Sequence, residues 1–379
     1  MKKYLPYILL LLHIAFSSCK NNTTAPKTTA VKASNSIKHA NGLELYKYDG
    51  YSVVKVTNPW PEAAQSFSYV LHKEGVAVPD SLQKYTAVQV PIKTVVVTST
   101  THIPSLEMLG MESSLIGFPT TDYISSEKTR KLVDAGKVKE VGANESLNTE
   151  IMLDLSPDAV VGFSISSNNK TLNNLQQSGM KVLYNGDWTE QSPLGKAEWI
   201  KFFGALYDKN EEAERIFHQI EKDYNAAKQL AEKAATHPTA FSGAMYQDQW
   251  YMPQGNSWAA LFLKDAQAKY LWAEEQGTGS LSLSFEVVLD KAENADYWIG
   301  PSQFTSLQQL ADANPHYTRF KAFKNKEVYS FSSKKGSKGG ILYYELAPNR
   351  PDLVLKDLVA ILHPELLPNH QLYFFEKLK

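Results

Sequence analysis

One stretch, residues 193–235, limits what this chain can become, because its apolar residues recur at helical spacing throughout. Trp199, Phe202, Phe203 and Leu206, then Ala213, Ile216, Phe217, Ile220 and Tyr224, follow the i, i+3, i+4, i+7 pattern of a helix with one buried stripe. Asp208 and Glu211 have capping-box spacing, which predicts a short helix, a break near 208–210 and a long second helix. At 1.5 Å per residue the second helix spans roughly 40 Å, enough to cross a domain or to join two. On either side, short β-rich runs alternate with helical ones. The expected architecture is therefore α/β: two Rossmann-like lobes, 41–192 and 236–379, joined by a single long helical spine, 193–235.

A chain of 379 residues is long enough for two such cores. Its formal charge of −1 leaves no basic stripe of the kind nucleic-acid binders carry, so no nucleic-acid partner is expected. Seven Trp and twenty Tyr supply flat amphipathic side chains, most of them for the core and a few for a large, partly apolar ligand.

The first residues carry a targeting signal. Lys2 and Lys3 precede an apolar run at 4–16, and Ser17-Ser18-Cys19 follows as a small-residue cleavage site. The run is shorter than the ~20 apolar residues that cross a bilayer. Cys19, the only cysteine, resembles the lipidated residue of a bacterial lipoprotein signal, with Phe16 in place of the commoner Leu. A plain secretory peptide is the alternative. The expected order is a signal peptide at 1–18 and a flexible tether at 19–40, with Cys19 acylated and the body anchored to a membrane from the periplasm. With no second cysteine, no disulfide holds the fold.

Residues 43–78 predict a β extension at the edge of the first lobe, with Asp49-Gly50 as a hairpin turn. Strands follow at 95–97, 115–118, 138–141, 159–163 and 181–184, separated by helices, which implies a mostly parallel sheet. Ligands of such sheets bind beyond the carboxyl ends of the strands. That rule selects 99–102, 119–123, 142–144 and 163–166, with Thr100, His102, Tyr123 and Asn144 as candidate contacts. A lone histidine is more often structural than a ligand contact, and His102 carries both readings.

In the second half, strands are expected at 240–245, 297–299 and 327–331, an aromatic turn at 249–257, and helices at 258–265 and 352–362. A repeat links the halves. Residues 146–154 and 282–290 share the pattern S-L-x-x-E-[IV]-[MV]-L-D, each copy followed by a turn and a short apolar run. Either this is a repeated packing unit, its glutamate favoured by the helix dipole, or Glu150 and Glu286 are a matched pair meeting a two-fold symmetric partner.

With these motifs in order, the chain resembles the substrate-binding proteins of ATP-driven importers for iron-siderophore, haem or cobalamin complexes. The carrying segments are 94–110, 147–161, the spine, Gly255-Asn256-Ser257, 283–288, 320–329 and 350–365. The resemblance implies two α/β lobes on a stiff helical hinge, a monomer with its ligand between the lobes, and one glutamate per lobe, here Glu150 and Glu286, docking on an ABC permease. It does not fix the substrate. The β extension and a loop at 332–344 with Lys334, Lys335 and Lys338 depart from the common pattern. That loop is expected to face the ligand.

The residues themselves favour binding over catalysis. There is no His-Glu-x-x-His, no cysteine pair, no nucleophile elbow and no phosphate loop, so no cofactor and no bare-metal site are expected, and a metal would arrive within its chelate. Trp250, Tyr251 and Trp258 offer faces for stacking on a corrin, porphyrin or catecholate, or else pack beneath the loop. Tyr343, Tyr344 and Arg350 form a second candidate group, in which Arg350 grips a ligand carboxylate or closes a structural salt bridge. Two other readings stand beside the importer: a lipoprotein that hands haem or cobalamin on without docking, and a periplasmic hydrolase.

Overall fold

A computed structural model describes residues 34–379; the leader, Cys19 and most of the tether lie outside the described residues. The chain first lays down a four-stranded sheet of β1 (Leu43–Lys47), β2 (Tyr51–Val56), β3 (Phe67–Lys73) and β4 (Thr86–Val90). Asp49-Gly50 makes the expected hairpin, with Gly50 at φ 76°. β4, which the sequence pattern did not reveal, runs parallel to β3.

This extension is pinned to the body by two buried carboxylates. The backbone N–H groups of Lys38, His39 and Ala40 donate to Glu198, and those of Asn41 and Gly42 donate to Glu190. Lys201 Nζ adds an ion pair to Glu198 at 2.9 Å. Burial opposes ionisation of Glu198, but the hydrogen bonds from Lys201, Ala40 and His39 outweigh it and hold the carboxyl below its usual range.

The first lobe follows. β5 (Val95–Val97), β6 (Leu115–Phe118), β7 (Lys139–Glu140), β10 (Ala159–Gly162) and β11 (Val182–Tyr184) form a parallel sheet in the order β11-β10-β5-β6-β7. A small ladder of β8 (Gly142–Ala143) and β9 (Ser146–Leu147) hangs from its edge. Helices α1 (Ile103–Met108), α2 (Glu127–Asp134), α3 (Thr149–Leu155) and α4 (Lys170–Gln177) alternate with these strands.

The spine comprises α5 (Pro193–Glu198), α6 (Ile200–Leu206) and α7 (Asn210–Ala231). The break falls where expected, at 207–209, but not through a capping box. Asp208 takes a left-handed φ of 53° and its carboxylate pairs with Lys73 at 2.8 Å, leaving the start of α7 without a side-chain cap. With 22 residues, α7 is about 33 Å long, shorter than the expected 40 Å. Its stripe serves both lobes: Ala213, Phe217 and Ile220 enter the first core, and Tyr224, Ala227 and Ala231 enter the second.

In the second lobe, β12 (Thr239–Ser242), β15 (Lys269–Tyr270), β17 (Tyr297–Ile299) and β18 (Val328–Ser330) are parallel, in the order β15-β12-β17-β18. β19 (Glu376–Lys377) closes the edge antiparallel to β18. A second sheet of β13 (Ala244–Tyr246), β14 (Gln249–Pro253) and β16 (Ser280–Leu283) projects from the end of β12. The helices are α8 (Trp258–Asp265), α9 (Phe285–Ala292), α10 (Leu307–Ala313), α11 (Lys321–Lys324), α12 (Leu342–Leu346) and α13 (Pro351–Leu362), the last packed along α7. Among the described residues, no helix is long and apolar enough to cross a membrane.

Candidate functional site

At the carboxyl ends of β5, β6, β7 and β10 the first lobe forms a cavity of about 420 Å³. Ser99, Thr100, Thr120 and Asn144 line it with neutral hydrogen-bonding groups, and Tyr123 and Phe163 add aromatic faces. Glu145 is the one carboxylate in its wall. Local geometry explains the shape. After β6, Thr120 adopts a left-handed φ of 49°, which turns the chain so that Tyr123 projects, 65% exposed. After β7, Gly142 has φ 94°, and a Cβ there would lie 2.7 Å from the Ser146 carbonyl oxygen, so only glycine allows the ladder that presents Asn144. Phe163 N donates to Thr98 Oγ1 at 2.8 Å, tying the β10 end to the β5 end. Thr100, Tyr123 and Asn144, chosen separately from the sequence, thus line one cavity.

His102 does not join them. The turn after Ser99 carries it inward, where it is fully buried, with Nε2 4.0 Å from Asp187 Oδ1 and its ring beside Phe203. Burial lowers its pKa, partly offset by Asp187, and keeps it out of reach of a ligand in the cavity.

The second lobe separates its aromatic candidates by periodicity. Residues 249–253 form strand β14 rather than a turn, so neighbouring side chains point to opposite faces. Trp250 is wholly buried against Trp298 and donates Nε1–H to the Ser242 carbonyl, whereas Tyr251 stays exposed near Tyr246. The expectation of ligand stacking is corrected for Trp250 on that ground. Tyr343 is likewise buried, stacked on Phe331 at 4.3 Å, while its neighbour Tyr344 is 55% exposed. Trp258 lies partly buried between Phe262 and Tyr343. Arg350 closes the structural alternative: its Nε and Nη2 bond both oxygens of Asp352, at 2.9 and 2.8 Å, beside Ile216 and Gln219 of the spine. Tyr246 was missed; the alternation of β13 and β14 is the signal that finds it.

The 332–344 loop is held from two sides. Lys334 Nζ donates to the carbonyls of Leu372 and Tyr373, and the loop packs on the first lobe at 123–125.

The repeat emerges as two equivalent units. Asn148 caps α3 by accepting from Ile151 N, and Ser284 caps α9 by accepting from Val287 N. Met152 and Val288 occupy the same buried position in each. Glu150 and Glu286 stand exposed in the first turns, and neither has an ion-pair partner among the described residues. Hydrogen bonds from its own backbone N–H and from Ser284 lower the pKa of Glu286.

Residues 95–334 match the family model described as periplasmic binding protein. An uncharacterized lipoprotein of Methanocaldococcus jannaschii is 28% identical over 303 residues, 77% of this chain and 70% of the relative. Among solved structures, a periplasmic heme binding protein of Vibrio cholerae aligns with a TM-score of 0.54 at 17% identity, covering 69% of this chain and 99% of that one. A periplasmic vitamin B12 binding protein of Vibrio cholerae aligns with a TM-score of 0.52 at 12% identity, covering 74% and 99%. At such identities the solved structures share the fold.

Proposed function

The chain belongs to the periplasmic binding protein family, and from that premise we propose that it is the lipid-anchored receptor of an ABC importer for a metal chelate. Membership makes it a solute-binding protein rather than an enzyme, which sets the hydrolase reading aside. The chelate class is ferric siderophore, haem or cobalamin, held between the lobes with Cys19 as the lipid anchor.

The observation that carries the ligand class is the character of the strand-end cavity. Hydroxyls, an amide and aromatic faces dominate its wall, with a single carboxylate. Such a surface holds a large, flat, partly polar ligand by stacking and neutral hydrogen bonds. It is poorly suited to a bare cation, which needs several hard or imidazole donors converging. Exposed Tyr251 and Tyr344 are the second lobe's contribution. Titrating the protein with haemin, cobalamin and a panel of ferric siderophores, followed by visible absorbance and Trp fluorescence, tests this. Saturable binding of one chelate at micromolar or lower concentration supports it, and no binding of any by folded protein refutes it.

Delivery rests on the repeat. Glu150 and Glu286, placed alike on two capped helices, are proposed to meet two arginines of a two-fold permease. The double substitution Glu150→Ala, Glu286→Ala is expected to leave chelate affinity unchanged and reduce uptake at least tenfold. Unchanged uptake would move the protein to the reading in which it hands its ligand on without docking.

A further inference from the structure

Along one flank the second lobe reaches into the first through a row of buried polar contacts. The row begins beside the spine at Asn349, next to Arg350. Asn349 Oδ1 accepts from Ser105 Oγ at 2.8 Å, and its Nδ2 donates to the Thr101 carbonyl at 2.8 Å. One turn earlier in the chain, Glu345 of α12 is 2% exposed. Its two carboxylate oxygens accept from the backbone N–H groups of Ser125 and Ser126, at 2.7 and 2.9 Å, at the start of α2.

Farther out, the loop before α12 folds back on itself, Gly336 N donating to the Gly340 carbonyl at 2.8 Å. It lies directly on residues 123–125. A Cβ on Gly336 would sit 2.6 Å from Ser125 Cα, and one on Gly340 would meet the Tyr123 carbonyl. These glycines permit backbone-to-backbone contact between the lobes.

We propose that Asn349, Glu345 and the glycine loop form a latch that keeps the lobes docked along this flank without ligand. The inference goes beyond the importer reading and does not depend on which chelate is bound. Asn349 and Glu345 are anchored by neighbours in the second core, Tyr343 and Ala347, while all their partners belong to the first lobe. A carboxyl group that accepts from two backbone N–H groups at a helix start satisfies donors that have no partner within the helix. Parting the lobes here strips Ser125 and Ser126 of those bonds and floods a buried row with water. The surrounding ionisable groups are Glu107 of α1, Glu127 of α2, Lys334 and Lys335 of the loop, Tyr373, and Glu376 of β19.

The test measures the distance between lobes in the full chain in detergent, with Cys19→Ser and spin labels at the exposed Leu153→Cys of α3 and Val287→Cys of α9. Without ligand, a single narrow distance distribution is expected. Glu345→Ala with Asn349→Ala should broaden it and add a longer population holding at least half the molecules. A control pair within the first lobe, Tyr48→Cys with Leu153→Cys, should not change. A broad distribution in the parent, or the same narrow one in the variant, overturns the latch. If the control pair also shifts, Glu345→Gln is read instead, since it keeps the shape and one acceptor. A partial interlobe broadening with a fixed control then supports the latch, and no broadening counts against it.

Discussion

In the second lobe the centre is dry and aromatic. Trp250, Trp298, Phe241, Phe320 and Tyr317 pack ring on ring, with Trp298 5.0 Å from Phe241 and 5.3 Å from Tyr317 between centroids. The first lobe has a mostly aliphatic sheet core, with Trp199, Phe202, Phe203 and Phe217 of the spine packed against it, and its added β extension is held by carboxylates that reach back more than a hundred residues. Both lobes carry the same strand-helix repeat, so the shared unit does not dictate how a lobe is held together. Both use a buried carboxylate to tie down a chain end: Glu198 and Glu190 gather the N–H groups of residues 38–42, and Asp357 gathers those of Tyr373, Phe374 and Phe375. The contrast lies in what fills the centre, stacked rings in the second lobe and mostly aliphatic side chains on the sheet of the first.

This contrast predicts different responses to truncation. Trp298→Ala in the second lobe should cost roughly 4 kcal/mol, the usual loss for deleting a large ring from a close-packed core. Urea unfolding should show it as a lower midpoint, with the first lobe's near-ultraviolet signal melting later than the second's. Unfolding of both lobes in a single step would mean that the spine couples them too tightly for the contrast to matter.

Glu198→Ala attacks the first lobe in its own terms. Removing that carboxylate leaves three backbone N–H groups without their acceptor and Lys201 with only Glu214 and the Ser36 carbonyl, at a cost of about 3 kcal/mol. Here the loss should be local: proteolysis should cut first near residues 34–42 while the second lobe's aromatic signal persists. Resistance equal to the parent's would show that the carboxylate anchor is dispensable.

How far each device was legible follows from its range. The spine stripe and the repeat depend on spacings of three to nine residues, and both could be read along the chain. Trp250 and Tyr251 were also within reach, since Gln249-Trp250-Tyr251-Met252 alternates as a strand does once it is not taken for a turn. Glu198, Glu345 and Asn349 were not. Their partners lie 158 to 248 residues away, and nothing local marks a carboxylate or an amide as destined for a backbone N–H across the molecule. His102 failed differently. The strand-end rule placed its segment correctly, but one tight turn decides which of four successive side chains enters the cavity.

The flank between the lobes sharpens the comparison through pH. Burial, together with the nearby Glu107 charge and against the two backbone hydrogen bonds, raises the Glu345 pKa to about 7. A carboxyl whose folded-state pKa lies above its unfolded value near 4.5 favours the folded, docked form while protonated. That contribution is complete below about pH 4.5 and is lost as pH rises through about 7. The span corresponds to about 3 kcal/mol. Unfolding free energies measured from pH 5 to pH 8 should therefore fall more steeply in the parent than in Glu345→Gln, which cannot ionise. Parallel slopes would place the charge elsewhere.

The smallest effects belong to the exposed aromatic rings, which the two lobes present by different routes. Tyr123 stands on a loop forced outward by the left-handed Thr120, and Tyr344 on a helix whose next residue back is locked in the core. Losing one stacking face costs about 1 kcal/mol, or roughly a fivefold weaker chelate dissociation constant. Tyr123→Ala and Tyr344→Ala should each show that loss with unchanged thermal stability. Tyr343→Ala, which removes a buried ring, should instead lower stability by about 3 kcal/mol. If Tyr123→Ala weakens binding and Tyr344→Ala does not, the first lobe alone forms the site and the second serves to cover it. If both weaken it equally, the ligand is held from two sides, as a receptor that delivers from between its lobes requires.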